Sequence, residues 1–120
     1  MMRMSRDEFE KVVARALDGL PEEIGERLDN IAVVVEEEPS DEELLDAGLD
    51  PETETMFGVY QGVALTERSV YDSPLPDRIV IYLRPLLEEC QDRAELIREI
   101  QDTVVHEIGH FFGLGEEDLP

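Results

Sequence analysis

Thr103-Val104-Val105-His106-Glu107-Ile108-Gly109-His110-Phe111-Phe112-Gly113 is the stretch on which the reading of this chain turns. It holds both histidines of the sequence, four residues apart, with a glutamate directly after the first. The residues leading into it carry a helical pattern. Asp92 can cap the N-terminus, Glu95 occupies the capping-box position, and Leu96, Ile97, Ile100, Val104 and Ile108 recur at three- and four-residue spacing. On one helix His106 and His110 lie about 40° apart around the axis, and Glu107 lies about 60° from His110. All three polar side chains can therefore face one cleft.

His-Glu-x-x-His is the spacing at which two neutral imidazoles on adjacent turns hold one Zn2+. The carboxylate is then close enough to take a proton from a metal-held water rather than to ligate. Two histidines among 120 positions at this spacing, with glutamate following, would arise by chance roughly once in 360. Val104, Val105, Ile108, Phe111 and Phe112 surround the trio, which predicts a buried helix, and buried histidines without partners are costly. Three residues after His110 comes Gly113, which lets the backbone leave the helix sharply. A side chain three residues further on can return to the metal, giving H-E-x-x-H-x-x-G-x-x-E with Glu116 as third ligand. Asp118 is the fallback, Glu117 stands between them, and an acidic tail is the bland reading of all three.

Upstream, Phe9, Val12, Val13, Ala16 and Leu17 give an amphipathic helix from Ser5 to Leu17, capped by Ser5 and ended near Gly19. Pro21 suits the first helical position of a short helix through Leu28, and Ile31 to Val35 reads as a buried strand. Ser40-Asp41-Glu42-Glu43 is a capping box opening a helix with Leu44 and Leu45, stopped by Gly48 and Pro51. Met56 to Tyr60 and Arg78 to Leu83 are further strands, separated by a loop from about Thr66 to Asp77 that contains Pro74 and Pro76. Arg84-Pro85 begins a helix reaching Cys90. No repeat or linker interrupts this order, and residues 1–120 read as one domain.

Composition narrows the partners. Thirty-one acidic against ten basic residues give a net charge of -21, a field that repels nucleic acid and anionic lipid and attracts cationic chains. A solvated surface tuned to a salty cytoplasm is the plain explanation, since Lys11 is the one lysine, and mimicry of DNA is the sharper alternative. The lone Cys90 allows no internal disulfide, acidic residues appear too early for a signal peptide, and no run approaches a membrane span. A soluble cytoplasmic protein is expected.

The sequence resembles the minimal zincins, the zinicin-like metallopeptidases, over most of its length. Leu28 to Glu36, Gly58-Val59-Tyr60-Gln61-Gly62, Leu65-Thr66-Glu67-Arg68 and Thr103 to Gly113 carry the resemblance, the last being the specific one. The resemblance implies an α+β fold, a small mixed sheet packed on helices with a C-terminal active-site helix. It also implies zinc on His106 and His110, with Glu107 as general base. The family commonly has aspartate where Glu116 stands, a side chain one methylene shorter. No methionine follows Met56, so the Met-turn that underlies the zinc in metzincins is absent.

The expected chemistry is hydrolysis of a peptide or protein, biased toward basic chains, with Glu107 taking the water's proton and delivering it to the leaving amine. Tyr60, Tyr71, Tyr82 and Arg68 are left unassigned as oxyanion partners. An extended substrate would add along an exposed strand edge, supplied by Met56 to Tyr60 or by Ile79 to Leu83. A zinc-binding interaction module without turnover is the alternative. Hydrolysis of a phosphodiester is disfavoured by Glu107 and by the acidic surface.

Overall fold

The computed structural model describes residues 2–62 and 77–112, with the side chains of Phe111 and Phe112 excepted. The Leu65 to Arg68 segment, Tyr71, most of the expected Thr66 to Asp77 loop, and everything from Gly113 onward lie outside the described residues.

Among the described residues three strands form a mixed sheet in the order β1-β3-β2: β1 (Ile31–Glu36), β2 (Gly58–Gln61) and β3 (Asp77–Tyr82). β1 runs parallel to β3 and β2 antiparallel to it. β3 is central because it is apolar on both faces: Ile79, Val80, Ile81 and Tyr82 are all buried. Of the two expected strand edges, the run from Ile79 is thus inside the sheet, and Leu83 opens a helix. Among the described residues β2 lies at an edge of the sheet, as β1 does, and it starts at Gly58 rather than Met56.

The described residues form five helices around the sheet: α1 (Arg6–Asp18), α2 (Glu22–Leu28), α3 (Asp41–Asp46), α4 (Leu83–Glu89) and α5 (Arg93–Phe112). Local chemistry sets most of their ends. Ser5 Oγ accepts from the Glu8 N–H, and Ser40 and Glu43 form the reciprocal capping box at α3. At α5 the Glu95 N–H donates to Asp92 Oδ1 at 2.9 Å, while Glu95 Oε2 accepts from the Gln91 N–H at 3.1 Å, one residue earlier than a strict box. Pro21 is the N-cap of α2 rather than its first helical residue.

One face of the sheet, through Val35, Ile79 and Ile81, meets Phe9, Val12, Val13 and Ala16 of α1 and Leu96, Ile100, Val104 and Ile108 of α5. Gln101 of α5 donates to the Ala16 carbonyl at 3.0 Å, tying the two helices together at the end of α1. On the opposite face Val80 and Tyr82 are buried, as is Leu44 of α3. There the Tyr82 hydroxyl donates to Glu43 Oε2, to which Gln61 Nε2 also donates at 3.3 Å. Partial burial pushes the Glu43 carboxyl up, but the bonds from Tyr82 and Ser40 outweigh it and leave the group below its ordinary value. Burial first, then the Glu43 carboxylate, raises the Tyr82 hydroxyl.

Cys90 is buried, and burial followed by nearby carboxylates pushes its thiol up to about 11, an inert core position. Among the described residues no helix is long and apolar enough to cross a membrane.

Candidate active site on helix α5

The apolar stripe of α5 and its histidines lie on opposite sides of the helix. Leu96, Ile100, Val104 and Ile108 follow one another at four-residue steps and are fully buried. His106 and His110 are each two residues from Ile108, about 160° away around the axis, and both are exposed. The expectation of a buried pair fails here, because sequence neighbours of a histidine need not share its helix face. Glu107, about 100° from Ile108, falls on the flank and is half-buried.

The Glu107 flank meets β2. A Cβ on Gly58 would stand 2.7 Å from the Val80 carbonyl oxygen and 2.8 Å from Thr103 Cγ2, so glycine is required by space and allows α5 to lie close under the strand. Its φ is not positive, so conformational freedom is not the reason. From Thr103 to Glu107 the helix advances about 6 Å. From Gly58 to Tyr60 the strand advances about 6.7 Å. The two periods match over one step, which brings Glu107 to Tyr60 once Thr103 sits on Gly58. Glu107 Oε1 accepts the Tyr60 backbone N–H at 2.9 Å.

His106 has a fixed ring orientation. Its Nδ1 lies 2.8 Å from the Asp102 carbonyl oxygen, and a carbonyl can only accept, so Nδ1 carries the proton. In the neutral ring Nε2 is then the nitrogen with the lone pair. A ligating histidine usually donates its other ring N–H in this manner, so the donor set suits a zinc ion. Among the described residues no group of three His, Cys, Asp or Glu side chains is placed to hold a metal. The pair on α5 needs a third donor, and Glu116, Glu117 and Asp118 lie outside the described residues. Tyr82 is engaged with Glu43, on the far side of the sheet from α5, and the Tyr60 hydroxyl donates to Asp77 Oδ2 at 2.9 Å.

Sequence reasoning missed the partner of Glu107 and the role of Gly58. A glycine inside a strand pattern was the available signal, since it marks close backbone approach.

A long C-terminal helix carrying His-Glu-x-x-His, packed on a small mixed sheet whose antiparallel strand meets the glutamate, defines an α+β domain of the minimal zincin kind. Over residues 28–120 the sequence matches the family described as zincin-like metallopeptidase, and the chain belongs to that family. A conserved hypothetical protein from Thermo thermophilus is similar in fold, with a TM-score of 0.61 at 22% identity over 91% of this chain and 94% of that one. No curated protein matches the chain.

Proposed function

We propose that this protein is a zinc-dependent peptidase in which His106, His110 and Glu116 hold the metal and Glu107 is the general base. Family membership supports the class, and the single observation that favours the residue roles is the arrangement on α5. One histidine has its ring set by Asp102, and beside it a carboxylate is anchored at a strand edge. When bound, zinc would polarise a peptide carbonyl and make water nucleophilic near neutral pH.

The chain's own groups do the rest. Glu107 has one oxygen on the Tyr60 N–H, and its remaining acceptor capacity receives the proton of the attacking water and returns it to the leaving amine. β2, an edge strand among the described residues, offers the outward main-chain groups of Gly58 to an extended peptide. The charge of -21 draws basic chains toward it.

A zinc-binding interaction module without turnover is the second reading, favoured by the exposure of both histidines on α5. Metal analysis of the purified protein, combined with a cleavage screen on basic unfolded peptides with and without chelator, separates the two. The peptidase reading expects about one zinc per chain and cleavage that stops on chelation. Stoichiometric zinc without cleavage supports the module.

A further inference from the structure

We infer that the backbone amide of Tyr60 is a positioning group for Glu107, an inference that rests on the peptidase reading for its catalytic meaning but on geometry for its existence. The register of β2 leads to it independently of the contact itself. The Tyr82 N–H donates to the Phe57 carbonyl at 2.8 Å, which makes Phe57 and Tyr82 a hydrogen-bonded pair. Antiparallel pairs alternate between bonded and non-bonded. Val59 opposite Val80 is then bonded, while Gly58 opposite Ile81 and Tyr60 opposite Ile79 are not. In non-bonded pairs the backbone N–H and C=O turn away from the partner strand. The Tyr60 N–H therefore leaves the sheet on the side away from β3, where Glu107 Oε1 receives it.

Two consequences follow from this one bond. A carboxylate on a half-buried helix flank has two free torsions beyond Cβ, and the amide fixes them by holding one oxygen. The carboxylate is then delivered in one orientation beside His106, rather than sampling the acidic surface around it. The bond also interrupts strand addition: a peptide pairing with β2 meets the outward groups of Gly58, but the Tyr60 N–H is already engaged. Pairing along β2 breaks at Tyr60, beside the residue that handles the proton.

Amide hydrogen exchange of the zinc-free full-length protein, read residue by residue by NMR, tests the contact without requiring turnover. Glu107→Ala should speed exchange of the Tyr60 amide by about tenfold or more while leaving Val59, bonded to β3, unchanged. Glu107→Gln, which keeps an acceptor oxygen, should retain most of the protection. A Tyr60 amide that exchanges at the unprotected rate in the wild type, or that ignores Glu107→Ala, overturns the inference.

The catalytic side is read with Tyr60→Pro, which deletes an N–H that takes no part in the ladder with β3. Tyr60→Phe keeps the N–H and loses only the hydroxyl bond to Asp77, so it reports the side chain's separate effect. At equal zinc content and native circular dichroism, Tyr60→Pro should lower kcat about tenfold or more with a smaller change in KM, and by a larger factor than Tyr60→Phe does. Wild-type kcat in Tyr60→Pro would overturn the positioning role. A wild type that binds zinc but cleaves nothing would defeat the peptidase reading instead, with the amide measurement still deciding the contact.

Discussion

Gly58→Ala is the substitution that most directly probes why α5 lies where it does. An added methyl would stand 2.7 Å from the Val80 carbonyl oxygen, 2.8 Å from Thr103 Cγ2 and 3.3 Å from Ile81 Cδ1. The first of these is backbone of the central strand and cannot rotate away, so β2 must separate from β3, or α5 from both. Overpacking of this kind costs about 1–3 kcal/mol. The smaller entropy of the unfolded alanine chain returns about 0.4–1 kcal/mol, because the glycine φ here is one that alanine can adopt. A net loss of about 1–2 kcal/mol, or a Tm lower by roughly 5–10 °C, should appear in thermal and denaturant unfolding. Adding Thr103→Ser to Gly58→Ala removes the Cγ2 contact but keeps a hydroxyl for the Glu99 carbonyl, which Thr103 Oγ1 bonds at 2.8 Å. The double variant should recover part of the loss and not all of it, since the Val80 oxygen remains. A Gly58→Ala protein that melts at or above the wild type would refute the close approach of β2 and α5.

His106→Ala or His110→Ala should abolish stoichiometric zinc by elemental analysis, and Glu116→Ala should weaken zinc more than Glu117→Ala in a competition titration. A larger loss at Asp118→Ala would move the third ligand. Tyr82→Phe removes a hydrogen bond that lowers Glu43, whose depressed value adds stability above its unfolded value of about 4.3 and loses it as pH falls through the folded one. The variant's deficit in stability should therefore be present at pH 7 and shrink below about pH 4 in denaturant melts. Basic peptides should be cut with higher kcat/KM than matched acidic ones, and the gap should narrow with salt, since exposed charges are screened within roughly 8 Å at physiological ionic strength. Equal values at low and high salt would remove the steering argument and leave the zinc chemistry untouched.

The features legible in the sequence are those fixed by short-range chemistry. Ser5, Ser40 and Asp92 announce helix starts because a cap and its N–H are within three residues of each other. The apolar run from Ile79 identifies a strand, and His106, Glu107 and His110 identify a helix face, because both are periodic patterns. Strand order is not legible. It depends on which partners meet across gaps of 46 residues between β1 and β3 and of 17–23 between β2 and β3, and nothing within Gly58 to Gln61 says which side of β3 it takes. The Tyr60 bond to Glu107 joins residues 47 apart and uses a backbone group, which has no sequence signature. The exposure of the histidines is legible in the apolar stripe of α5 but not in their immediate sequence neighbours. Val105 and Phe111 are neighbours in sequence, but the face of α5 that is buried is set by Leu96, Ile100, Val104 and Ile108, opposite to the imidazoles.

Hydrolysis of an unfolded basic peptide by the zinc-loaded protein, measured beside Glu107→Gln at equal zinc content, addresses the proposed chemistry most directly. The amide cannot accept the water's proton, so the variant should keep its metal and lose turnover by about a hundredfold or more. Unchanged turnover in Glu107→Gln, with cleavage still abolished by chelator, would contradict the assignment of Glu107 as the base.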